Sequence, residues 1–149
     1  MFLSGMLAWG RTRVKTNTPA PLLRGARWLP ALLWMGGIFY LSHQSAPLGQ
    51  TASTVESIAV HLGLYAGLAL LMCWALAGST HSRMATPNWV LAAVTFALTI
   101  LYGVSDELHQ TFVPGRTASE VDIAFDAAGA TLGVALALLS ERFLPTRYG

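Results

Sequence analysis

Charge is scarce in this chain of 149 residues: 11% of it is Asp, Glu, Lys or Arg, against about a quarter in an ordinary soluble domain. A typical soluble globule is therefore excluded. Disorder is excluded as well, because its signature is high charge with few apolar residues, and here 54% of residues are apolar. The single cysteine, Cys73, allows no internal disulfide and no cysteine-based zinc cage. A net charge of +2 is too small to bring in nucleic acid as a partner. No segment alternates polar and apolar residues as a membrane barrel strand does, so any crossing of a bilayer must be helical.

What the chain does have is long apolar runs and a mean hydropathy of +0.52. Four runs stand out: Trp28 to Leu41, Ile58 to Ala77, Trp89 to Val104 and Val121 to Leu139. With their flanks, each approaches the roughly 17–25 residues that a helix needs to cross about 30 Å of hydrocarbon. The first is the shortest, extendable through Leu22, Leu23 and Ala26 on one side and Tyr40 and Ser42 on the other. The expected fold is all-α, a polytopic four-helix transmembrane bundle over residues 25–142. A cytoplasmic segment and linker (1–24) precedes it, and a short cytoplasmic tail (143–149) follows.

Orientation follows from the basic residues. Arg11, Arg13, Lys15, Arg24 and Arg27 precede the first run, Arg83 lies between the second and third, and Arg142 and Arg147 follow the fourth. The positive-inside rule makes those segments cytoplasmic, with both termini inside. Trp28, Trp74 and Trp89 fall at the same ends, where indole rings prefer the interface. The connection from His43 to Ser57 lacks Lys and Arg, and the one after the third run has only Arg116 beside Asp106, Glu107, Glu120 and Asp122, so both face outward. No small-x-small pair sits cleanly before Ala46 or Pro47, so the first run is read as a retained helix rather than a cleaved signal peptide. Met1 to Gly10 is too short to span, and Thr12 to Pro21 reads as linker.

Polar residues inside apolar helices carry the functional argument, because an ionised Asp at bilayer centre costs about 2.5–3.5 kcal/mol on insertion scales. Asp122, Asp126, Gly129 and Gly133 lie on one stripe of the fourth helix, so the carboxylates face the bundle. Gly129–Gly133 and Gly63–Gly67 are both GxxxG seams, suited to pairing of the second and fourth helices, to a homo-oligomer, or to general small-residue packing. Tyr40 with His43, His61 with Tyr65, and Tyr102 with Asp106 and His109 also share faces. A histidine alone on such a face reads more readily as a hydrogen-bonded core residue. It is the convergence of four polar stripes on one leaflet that suggests a site.

Ser105 to Asp122 is read as the chemically densest stretch, an outer connection whose Pro114-Gly115 turn ends the third helix at or before Val113. Ser119 with Asp122, or Thr117 with Glu120, has the form of a capping box. Arg116 can clamp a carboxylate of the cluster or a phosphate from outside, since a planar guanidinium suits both. Five acids (Asp106, Glu107, Glu120, Asp122 and Asp126) against one arginine leave negative charge for protons, a divalent metal or a cationic ligand to relieve. Asp106, Glu107, His109 and Asp122 are the candidate catalytic and metal-binding groups, with a metal allowed but not required.

The segment Ser105-Asp106-Glu107-Leu108-His109-Gln110-Thr111-Phe112-Val113-Pro114-Gly115-Arg116-Thr117-Ala118-Ser119-Glu120-Val121-Asp122 resembles the S-D-E-x-x-Q-x-F-x-P-G-R-x-x-S-x-x-D signature of the VanZ-like family. These are small bacterial membrane proteins named for a teicoplanin-resistance accessory protein. His61 and Tyr65 fit the family's H-x-x-x-Y pair, and Ile38 to Ser42 with Gln44-Ser45 resembles the end of its first helix. Two departures stand out. Ser57 and Ile58, with Glu56 offset by one, occupy the place of a lysine that commonly precedes the histidine, and Asp126 stands where an asparagine is usual.

The resemblance implies a multi-span protein of the bacterial cell membrane, linked in some members to glycopeptide or lipopeptide susceptibility, and implies no particular reaction. The residues support recognition of an anionic envelope lipid, a lipid-linked cell-wall intermediate or a lipoglycopeptide at the outer leaflet. Arg116, Gln110, His109, Asp106, Glu107, Asp122, Asp126, His61 and Tyr65 are the expected binding set. The alternatives are a metal-assisted intramembrane enzyme acting on a lipid head group, a proton-linked transporter, and a polar network that only fixes helix register. Transport is disfavoured by the lack of charged residues in the inner halves of the helices.

Overall fold

The structure, a computed structural model, describes residues 25–45, 54–79 and 88–143. The expectations for the N-terminal segment and linker, for Ala46-Pro47, for Arg83 and for the C-terminal tail beyond 143 fall outside the described residues. Four helices are present: α1 (Leu29–Ser42), α2 (Thr54–Ser79), α3 (Asn88–Gln110) and α4 (Glu120–Phe143). Three spans are long and apolar enough to cross a membrane, Val55–Gly78, Asn88–Gln110 and Glu120–Ser140. α1 has 14 residues, about 21 Å at 1.5 Å per residue, short of the hydrocarbon thickness. It opens with Pro30 in its first turn, where the missing N–H removes no helical hydrogen bond.

α3 is longer than its apolar run. It continues through Ser105, Asp106, Glu107, His109 and Gln110, because nothing before Pro114 breaks it. The stretch read as a connection is therefore helical in its first third, and the loop itself is only 111–119. Asp106, Glu107 and Gln110 thereby gain the fixed i, i+3 and i, i+4 relations of a helix face.

α2 packs most extensively on α4, with α3 against both and α1 laid over α2 and α3. Two apolar clusters hold the bundle: Ala31, Ile38, Tyr65, Leu68 and Met72 between α1 and α2, and Ala69, Cys73, Ala130 and Val134 between α2 and α4. The glycine seams part company. A Cβ on Gly129 would lie 2.6 Å from the Leu62 carbonyl oxygen, and one on Gly133 would collide with that of Ala66, so this seam is closed by the backbone of α2. Gly67 instead faces the Trp34 indole of α1, and Gly63 meets nothing within 4 Å. The two helices pair, but through Leu62, Ala66 and Ala69 rather than glycine on glycine.

Large apolar side chains cover the outside, among them Leu33, Trp89, Leu101 and Leu136. That surface suits lipid rather than water. At one end of the bundle Trp74 and Trp89 lie exposed, and the Arg27 guanidinium stacks 4.7 Å from the Trp74 ring centroid. At the opposite end the C-termini of α1 and α3 meet the N-termini of α2 and α4, and the buried carboxylates gather there.

Candidate functional site

Gln110, 1% exposed, sits at the centre of the polar end. Its amide nitrogen donates to Glu107 Oε1 at 3.0 Å and more weakly to Asp106 Oδ2 at 3.4 Å. The Ser42 hydroxyl, from the end of α1, donates to the same Asp106 oxygen. On its other side the Gln110 carbonyl oxygen accepts from Arg116 Nε at 3.1 Å and from Arg116 Nη2. Only this amide orientation works, since a flip would set NH2 against guanidinium and oxygen against carboxylate.

The turn beyond α3 delivers Arg116. Pro114 takes its second position and Gly115 its third with φ +80°, while Arg116 N–H bonds back to the Val113 carbonyl at 3.0 Å. That is a type II turn, which favours Pro-Gly for its φ values. The sequence leaves open a clamp on a carboxylate or on a phosphate. In the structure the guanidinium rests on the Gln110 amide and comes within 4.0 Å of no carboxylate among the described residues.

α4 begins at a split cap. Ser119 Oγ accepts the Asp122 N–H at 3.2 Å, as a capping residue should. The reciprocal half of the box is supplied from α3, because Glu107 Oε2 accepts the Ser119 N–H at 2.8 Å. This releases the Asp122 carboxylate, which stands 4.0 Å from His61 Nε2. His61 Nδ1 in turn meets Asp126 Oδ1 at 2.8 Å. The carboxylate left unexplained by capping, a turn deeper in α4, thus finds the α2 histidine.

His61, Glu107 and Asp126 each offer a ligand atom within 4.8 Å of the others. Around them, Asp126 Oδ2, Asp106 Oδ1 and the Tyr65 hydroxyl are buried without a protein hydrogen-bond partner. Gly103 makes the room. A Cβ there would lie 3.0 Å from Asp126 Oδ2 and 3.1 Å from Tyr65 Cε1.

Of the sequence candidates, Asp106, Glu107, Gln110, Arg116, His61, Tyr65, Asp122 and Asp126 come together at this end. His109 does not join them. Its ring packs 4.2 Å from that of Phe39 and its Nε2 faces His43 Nδ1 at 3.3 Å, on the α1 side of α3. Among the described residues the grouping whose donor atoms come together is His61, Glu107 and Asp126, which shares Glu107 with the set Asp106, Glu107, His109 and Asp122 expected from sequence. Tyr40 is exposed, away from the cluster. Sequence reasoning overlooked the roles of Ser42 and Gly103. Ser42 shares a buried stripe with Ala31 and Ile38, a seven-plus-four spacing that marks it as inward. Gly103 stands one turn before Asp106, where a missing side chain leaves space. Towards the other end the buried polar residues are Thr95 and Thr99: the Thr99 hydroxyl bonds the Thr95 carbonyl within α3 and lies by Met72 Sδ of α2, and Cys73 Sγ of α2 lies by Thr95 Oγ1.

Comparison with known proteins gives one finding about kinship. The model of the VanZ/LLP1 family matches residues 27–141, which takes in every residue of the polar cluster. No curated protein and no solved structure matches the chain. The matched stretch holds the four helices, save the last two residues of α4, together with the 105–122 motif, and on that ground this helical, membrane-type chain belongs to the VanZ/LLP1 family.

Proposed function

We propose that this is a four-helix protein of the bacterial cell membrane that holds the anionic head group of an envelope lipid at the outer leaflet, with both termini inside. One observation carries the reading. Arg116 is held by two donors on the Gln110 amide oxygen yet, among the described residues, is neutralised by no carboxylate, so most of its five N–H groups are left for an anion at the rim. The acids below cannot serve that anion directly. Glu107 and Asp106 fix Gln110, which fixes Arg116, so they act as positioning residues. A phosphate on a polyprenyl chain and the carboxylate of a lipoglycopeptide share the chemistry that a guanidinium recognises, which is how the reading touches teicoplanin resistance.

The test uses the full chain in nanodiscs of zwitterionic lipid, titrated with a polyprenyl phosphate, phosphatidylglycerol or a lipoglycopeptide. A charged hydrogen bond contributes about 1.5–3 kcal/mol, so Arg116→Ala should weaken binding of the preferred probe by roughly 10- to 150-fold at unchanged helicity. Equal affinity of wild type and variant for all three probes removes the assignment. A second reading, chemistry on the head group rather than retention of it, is favoured by the carboxylates directly beneath Arg116. Product released from the same lipid phosphates would establish it.

A further inference from the structure

Below the Gln110–Arg116 pair, head-group recognition leaves His61 and Asp126 without a role and uses Glu107 only through its bond to Gln110. His61, Glu107 and Asp126 come from α2, α3 and α4, and none of them touches Arg116. We propose that this triad is a binding site for one divalent transition-metal ion, which ties the three long helices together beneath the rim.

Three observations converge on it. The donor atoms of the triad lie within 4.8 Å of one another. Ligands sharing an ion at about 2.0–2.2 Å stand about 3.4 Å apart in a tetrahedral site and up to about 4.4 Å apart when opposite, so side-chain movements of up to about 1 Å close the set. Asp126 is 1% exposed, its Oδ2 lies against Gly103 beside the edge of the Tyr65 ring, and neither that oxygen nor the buried Tyr65 hydroxyl has a protein partner. Glu107 is anchored through each oxygen, to Gln110 and to the Ser119 N–H, and each oxygen keeps a further lone pair for an ion.

Charge argues the same way. Asp106, Glu107 and Asp126 are 4%, 2% and 1% exposed, and among the described residues the basic side chain ion-paired with them is His61. Burying carboxylates without compensation is costly, and a dication offsets two of them at once. The surroundings of His61 fit a ligand. With Nδ1 on the ion, Nε2–H points to Asp122 Oδ2, now 4.0 Å away, which is the carboxylate–histidine–metal relay that orients such imidazoles. One imidazole with two carboxylates suits Zn2+, Mn2+ or Fe2+ better than Ca2+ or Mg2+, which prefer oxygen alone.

The experiment is read on metal alone and does not depend on the head-group assignment. The full chain is purified in detergent with a tag free of histidine and without chelator, and its metals are counted by mass spectrometry. Stripped wild-type protein is then titrated with Co2+ by visible absorption and competed with Zn2+. The expected results are about one ion per chain and d–d bands that saturate at that ratio and vanish in His61→Ala and Asp126→Asn. Tyr65→Phe, which keeps the packing, should retain the ion about tenfold more weakly. Folded wild-type protein that neither retains metal nor develops Co2+ bands overturns the proposal, as do bands that persist unchanged in Asp126→Asn. In the first case the buried acids are balanced by protons, and in the second the ion sits elsewhere.

Discussion

Glu107 caps a helix to which it does not belong: its Oε2, on α3, accepts the N–H of Ser119 at the start of α4 at 2.8 Å. A capping box normally draws that acceptor from its own first turn. Here the α4 acid, Asp122, is freed to face His61, and the two halves of the 105–122 motif are locked together across the turn. Each oxygen of the Glu107 carboxylate accepts one hydrogen bond, one from the cap and one from Gln110.

Exchanging Glu107 for Gln should therefore do more than remove charge. A glutamine that keeps its oxygen on Ser119 presents NH2 to the Gln110 NH2. Gln110 must then flip, and its oxygen leaves Arg116. Ser119→Ala removes only the cap and should cost about 1 kcal/mol of stability. Denaturant titration in mixed micelles checks the stability of both variants. Lipid-phosphate titration should show Glu107→Gln weakened nearly as much as Arg116→Ala, and Ser119→Ala little changed.

The glycine stripe of α4 predicts a sharp asymmetry. Alanine at Gly129 or Gly133 sets a methyl against carbonyl oxygens of α2, backbone that cannot step aside, and each should cost about 1–3 kcal/mol. Gly63→Ala meets nothing and, by helix propensity, should be neutral or up to about 1 kcal/mol stabilising. Unfolding midpoints of the three variants test it. Equal loss at Gly63 would mean that the second seam is engaged after all, most simply by another copy of the chain.

α1 is fastened by few polar links. Tyr102 donates to the Met35 carbonyl at 2.6 Å, Trp34 Nε1 donates to the Leu64 carbonyl at 2.9 Å, and Ser42 reaches Asp106. Each such bond contributes about 1 kcal/mol. Tyr102→Phe combined with Ser42→Ala should raise hydrogen exchange in α1 while α2 and α4 keep their protection. Uniform loosening of all four helices would show α1 to be part of one cooperative unit.

Four crossings with the polar end outside can be read with one cysteine. Cys73 is buried beside Thr95, so wild-type protein should be silent to a membrane-impermeant maleimide. Thr117→Cys, in the exposed turn before α4, should label in intact cells. Labelling only after lysis reverses the proposed orientation.

Much of the fold is legible along the chain because apolar length and breakers act locally. The long runs became α2, α3 and α4, and Pro114-Gly115 stopped α3 before Val113, as its turn chemistry requires. The run boundaries were less legible. Asp106, Glu107 and Gln110 look like loop by polarity, yet they continue α3, because helix propagation does not end where hydrophobicity does. The short α1 shows the converse, an apolar run whose helical part falls below spanning length.

Periodicity assigned Asp122, Asp126, Gly129 and Gly133 to one face of α4 from sequence alone, since 3.6 residues per turn fixes that stripe before any neighbour is present. It did not fix which residue each member would meet. That His61 takes Asp126, that Arg116 settles on the Gln110 amide rather than an acid, that His109 turns to His43, and that Gly129 meets Leu62 and not Gly63 were decided by how the helices rotate and slide against one another. Those choices are set by side-chain packing and buried hydrogen bonds summed over several helices, quantities that no single stretch of sequence contains.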